Sequence, residues 1–196
     1  MIMKILILSI MVLNPYLFGI NYAKWELKKE KNNIKVYLRD KDSFTKEYLA
    51  ETIINSDLNS IYNVILDYDN AHKWMYKLES SKILKKESEN LFYVYFTVNM
   101  NWPLKKRDLV SDVKVKKAKH NVVIELNSKP NYIKRNENYY RIEDTRSIWN
   151  LIKIDSKKTK VRLQSYAVIE GIPEFITNIF ILESPIHSMS KLREKF

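Results

Sequence analysis

Residues 173–196 read PEFITNIFILESPIHSMSKLREKF, and their period decides how the rest of the chain must fold. Phe175, Ile179, Leu182, Ile186, Met189 and Leu192 recur at steps of three or four, which puts them on one face of an α-helix. Pro173 suits the first helical position, where a missing N–H costs nothing, and Glu174 complements the positive end of the helix dipole. Lys191, Arg193 and Lys195 complement the negative end. Pro185 lies inside the pattern, which predicts a kink or break near Glu183. Such a helix has an apolar stripe to bury, and the chain before it supplies a partner.

That partner is a sheet. Phe92, Val94, Phe96 and Val98 alternate with Tyr93, Tyr95 and Thr97, so both faces are bulky. Leu109, Ser111, Val113 and Val115 oppose Asp112, Lys114 and Lys116. Val122, Ile124 and Leu126 oppose Glu125 and Asn127. Residues 146–154 and 160–169 read as two more strands, and 81–86 as a weaker one. Polar turns separate them, the pattern of an antiparallel meander. Further upstream, 34–38 and 47–54 read as strands. Ser56 is placed to cap a helix over 57–67 that buries Leu58, Ile61, Tyr62, Ile65 and Leu66. Residues 69–76 read as a short helical turn. The fold class is therefore α+β: a curved antiparallel sheet wrapped around a long C-terminal helix, with a cavity between them. No repeat, low-complexity tract or linker interrupts the chain, so residues 24–196 are expected to form one domain.

Residues 1–23 have a different character. Lys4 is their only charge, Ile5 to Leu13 is apolar apart from Ser9, and Asn14-Pro15 breaks the run. This is the order of a secretory signal peptide. Cleavage after Gly19 would leave Leu17 at −3, and cleavage after Ala23 would leave Asn21 there, so both points stay open. The run from Ile5 to Ile20 falls short of the ~20 residues that span a bilayer. The expected location is therefore exported, periplasmic or secreted.

Composition removes several chemistries. The chain has no cysteine, which excludes disulfides, thiolate metal sites and Cys nucleophiles. Two glycines exclude Gly-rich phosphate loops. His72, His120 and His187 are far apart, and no catalytic triad, carboxylate dyad or metal-ligand spacing stands out. No metal, cofactor or catalytic residue is expected. The net charge of +11 invites a nucleic-acid reading, with basic runs at 105–107, 114–119 and 157–162. However, Lys114 and Lys116 alternate with Val113 and Val115, which describes the wet face of a half-buried strand. Export also removes the chain from most nucleic acid. Transient attraction to an anionic membrane surface is the better functional reading, beside that of a plain solvated basic surface.

Trp102-Pro103-Leu104-Lys105-Lys106-Arg107-Asp108 resembles the "WP…RD" signature of START domains, the steroidogenic-acute-regulatory-related lipid-transfer family. Other pieces fall in family order. Trp25-Glu26-Leu27 with Ile34-Lys35-Val36-Tyr37 resembles the opening, and Asp67 with Trp74 the segment after the first helix. Pro130, Tyr140-Arg141-Ile142, Trp149 and Leu151 resemble the "P…vR…W.l" segment. Gly171-Ile172-Pro173 with Asn178 resembles the entry into the last helix, and Leu192-Arg193 its end. The chain departs from the family at Glu170, where a second glycine is common, and at Ser147, near where a glycine is common. The resemblance covers nearly all of residues 24–196 and implies the helix-grip fold. It also implies a hydrophobic ligand, the family's range including sterols, phospholipids and carotenoids.

On that footing the ligand-binding candidates are Trp74, Phe96, Trp102 and Trp149, the charged Arg107 and Arg141, and Phe175 and Ile179 on the last helix. The tryptophans either line a tunnel or pack as core. Arg107 and Asp108 point to opposite strand faces, so they do not pair with each other. Arg107 either enters the cavity or anchors its strand through another carboxylate. Arg141 and Arg146, flanking Glu143 and Asp144, either meet a headgroup or belong to a solvated loop of mixed charge. The expected function is an exported, monomeric START-like protein that binds or transfers a lipid or other hydrophobic molecule. The alternatives are a helix-grip enzyme of cyclase or hydratase type using the same pocket, and an interaction module with a filled core.

Overall fold

The structure is a computed structural model, and it describes residues 24–100 and 103–196. The expected signal peptide and Trp102 lie outside the described residues. Ten strands form one sheet: β1 (Glu26–Lys31), β2 (Ile34–Asp40), β3 (Lys46–Ile54), β4 (Leu78–Ser88), β5 (Leu91–Val98), β6 (Arg107–Ala118), β7 (Asn121–Ser128), β8 (Tyr140–Arg141), β9 (Asp144–Lys153) and β10 (Thr159–Val168). The spatial order is β1-β2-β3-β10-β9-β7-β6-β5-β4. Every pairing along that path is antiparallel, and the two-residue β8 pairs in parallel with the start of β6. Helix α1 (Leu58–Leu66) and a short 3-10 helix (Tyr68–Lys73) lie between β3 and β4, and α2 (Glu174–Arg193) closes the chain. This is the α+β helix-grip arrangement, a curved sheet gripping its C-terminal helix.

Local chemistry sets the element ends. Asn32 and Asn33 take φ of 53° and 57°, the paired left-handed geometry of a two-residue hairpin turn that suits the right-handed twist of β1 and β2. The cap of α1 is Asp57 rather than Ser56. Its carboxylate accepts from the backbone N–H of Asn59 and Ser60 at 3.0 and 3.1 Å. Both residue types can cap, but only Asp57 sits next to the first helical residue with an extended backbone. The bond from the Ser60 hydroxyl, with those backbone bonds, holds the Asp57 carboxyl below its ordinary pKa. That contribution to stability is present above the unfolded value of 3.8 and is lost as pH falls through the folded value. Asp57→Ala is expected to lower the thermal midpoint at pH 7, by a margin that shrinks below pH 4; a pH-independent margin would contradict this cap.

Helix α2 differs from expectation at both proline positions. Pro173 flanks the helix with an extended ψ of 142°, one residue before the first helical position. Pro185 causes no break, and α2 runs through it. Burial explains the tolerance. Pro185, Ile186, Ser188, Met189 and Leu192 are all buried, and Ile186, Met189 and Leu192 share the core cluster with Ile34, Val36 and Ala50. The packing outweighs one lost helical hydrogen bond. Arg193 donates to the Asn32 carbonyl at 2.7 Å, and Lys29 pairs with Glu183, so the β1–β2 hairpin grips the helix from its polar side. The first half of α2 is looser. Phe175 is 66% exposed and Ile179 51% exposed.

Candidate functional site

The alternation of β5, β6, β7, β9 and β10 aims one set of side chains at α2. Between this concave face and the helix lies a cavity of about 220 Å³. Phe96, Leu109, Leu126, Trp149 and Leu163 form its apolar wall, and Met75, Tyr76 and Leu78 close one side. None of the residues lining it is an Asp, Glu, Lys or Arg. Its polar groups are hydroxyls. Ser111, Thr145, Ser147 and Tyr48 come from the sheet, and Ser184 and Ser188 from α2. Burial pushes the Tyr48 phenol up to about 12, with the Ser165 hydroxyl opposing, so it stays neutral at any physiological pH. Trp74 stands behind this wall. It is buried and meets Trp149 edge-on at 6.1 Å without lining the cavity.

A second apolar cavity, of about 360 Å³, lies under the first half of α2. Met100, Pro103 and Leu104 face Pro173, Ile176 and Phe180 across it. Tyr76 lines both cavities. Its ring meets Phe180 and His187 edge-on at 5.6 and 5.3 Å, and its N–H donates to the Ser188 hydroxyl at 3.0 Å.

Arg107 and Arg141 come together elsewhere, at a cavity of about 420 Å³ by the start of β6, beside β8 and Gly171. Arg141 does not belong to a solvated loop of mixed charge. It makes a two-pronged ion pair with Asp108 at 2.8 and 2.9 Å, and both side chains are 1% exposed. It also donates to the Pro130 carbonyl at 2.6 Å, and Tyr95 donates its hydroxyl to Asp108 at 3.0 Å. The bond to Asp108 raises the Arg141 pKa further. This unit fastens the 129–143 segment to the sheet. Arg107 is buried without a carboxylate among the described residues, contrary to the expected anchor. It donates to the carbonyls of Lys105 and Glu170, the latter at 3.2 Å, and lies over the Tyr140 ring at 4.7 Å. Burial lowers its pKa, yet an arginine stays charged. It therefore ties the start of β6 to Glu170, next to Gly171, which takes a φ of +69° ahead of α2.

No family model matches the chain. An uncharacterized protein of Pseudomonas aeruginosa is 29% identical over 194 residues, covering 95% of this chain and 96% of that protein. The crystal structure of a STAR-related lipid transfer protein from Xanthomonas axonopodis superposes with a TM-score of 0.80. It is 26% identical and covers 87% of this chain and 97% of that one. This chain has the START fold. Human StAR-related lipid transfer protein 5 shares that fold at a TM-score of 0.78 and 16% identity, over 89% of this chain and 86% of that one. In the START fold of this chain, Arg107 and Asp108 of the "WP…RD" signature open β6 and serve two separate anchors. Of the residues singled out from sequence, Phe96 and Trp149 meet at the inner cavity, Arg107 and Arg141 at the end cavity, and Phe175 and Ile179 at neither. The hydroxyls of the inner cavity were missed, although the inward phase of Ser111 with Leu109 and Val113 was readable.

Proposed function

We propose that this START-fold chain is an exported, monomeric carrier that binds a lipid or other hydrophobic molecule between its sheet and α2. The observation that supports this reading best is the inner cavity: lined by Phe96, Trp149 and Leu163, and free of charged residues along its lining. Apolar burial would supply most of the affinity, at about 25 cal/mol per Å² before association costs. Pockets for drug-sized ligands hold about 300–1,000 Å³. The 220 Å³ seen here therefore suits a short ligand, or a longer one once Tyr76 turns and joins the 360 Å³ space beyond it. The exposed first half of α2, hinged at Gly171, is the segment that swings. The basic surface would favour brief contact with an anionic bilayer during exchange.

The interaction-module alternative required a filled core, and the cavity speaks against it. The enzyme alternative has no supporting constellation, since the inner cavity brings hydroxyls together with no acid or base beside them. The test is mass spectrometry of an organic extract of the protein secreted by its host, with uptake from a panel of lipids. A stoichiometric co-purifying lipid, or saturable uptake, is expected. Neither appearing would overturn the carrier reading.

A further inference from the structure

We propose that the inner cavity selects uncharged amphiphiles, lipids whose single polar end is a hydroxyl, carbonyl or amide, and that the Ser111 hydroxyl receives that end. The inference rests on the carrier reading and goes on to name the class of ligand. Ser147 and Ser165 bond each other at 2.7 Å. Thr145 donates to the Tyr166 carbonyl at 2.7 Å, and Ser188 accepts from the Tyr76 N–H. Ser111 is 1% exposed, lines the cavity, and its hydroxyl has no partner among the described residues. Ser184 faces the same space from α2, also with its hydroxyl unpartnered. A buried polar group is normally paired, and one left over in a cavity wall marks where a ligand supplies the partner.

The uncharged lining also sets the charge of the ligand. A carboxylate or phosphate entering this space would lose its water and find hydroxyl donors but no cation. Arg107 lies four residues earlier on the same face of β6, but its guanidinium is turned to the carbonyls of Lys105 and Glu170 at the end cavity. A hydroxyl, carbonyl or amide carries no such penalty. It can both accept from and, in the first and last cases, donate to Ser111 and Ser184.

Equilibrium uptake of 1-decanol, decanoate at pH 8 and decane from a cyclodextrin reservoir tests this. Decanol is expected to bind at least roughly 10-fold more tightly than decanoate. Ser111→Ala should weaken decanol roughly 3- to 10-fold and leave decane unchanged. Decanoate binding as tightly as decanol would overturn the inference and leave the carrier reading standing. Equal loss of decanol and decane in Ser111→Ala would remove Ser111 from the role. Uptake of none of the three would overturn both.

Discussion

Asp108→Ala should be the most damaging single charge change in the chain, at about 3–5 kcal/mol. The reason is the guanidinium it leaves behind. The Arg141 side chain is 1% exposed and donates to both carboxylate oxygens of Asp108, while Tyr95 donates to the same carboxylate. Removing Asp108 strands a buried cation and a phenol at once. The remaining acceptor, the Pro130 carbonyl, satisfies one guanidinium arm only. For a chain of this size the loss corresponds to about 10 °C in thermal midpoint. The double variant Asp108→Leu, Arg141→Met should recover much of it, because neither charge then needs compensation. Urea and thermal unfolding of the three proteins measure this. A single-variant cost below about 1 kcal/mol would mean that water reaches the pair and that the 129–143 segment is not fastened by it.

That ion pair also shows where sequence reading reached its limit. The chain announces strands and helices through period, and period survived well from β5 to β7 and in the second half of α2. It says which residues share a face, not whether anything covers that face. Phe175 and Ile179 continue the stripe of Ile186 and Met189, yet only the latter two meet the sheet. β1 reads ELKKEK and has no apolar alternation, because it is an exposed edge strand held by its hairpin with β2. The two-residue β8 is too short to carry any period. Arg141 was visible as a candidate and Asp108 as the neighbour facing away from Arg107, but the pairing of Asp108 with Arg141 needs the 129–143 segment to fold back over the sheet, and no local rule encodes that. The cavity hydroxyls were hidden for a different reason. A serine in a strand ordinarily marks the wet face, and only the apolar residues on either side of Ser111 betray its inward direction.

Trp149→Ala is expected to cost about 3–5 kcal/mol and, in the same step, to enlarge the binding space. The two effects have one origin. Trp149 is 2% exposed, sits on β9 between Ile124 of β7 and Leu163 of β10, and separates the inner cavity from Trp74. Truncating it removes dispersion contacts on both sides and opens a void that the surrounding strands, fixed by their ladders, relax into only partly. A bound ligand stabilises the folded state by mass action, so an apolar chain that fills the void should return part of the loss. Added 1-decanol is accordingly expected to raise the thermal midpoint of Trp149→Ala by more than it raises that of the unaltered protein. Trp149→Leu leaves a smaller void and provides the same comparison if the alanine variant does not fold. A folded Trp149 variant whose midpoint ignores decanol, beside an unaltered protein that binds it, would place the ligand outside the inner cavity. The space under the first half of α2, beyond Tyr76, would then be the binding site.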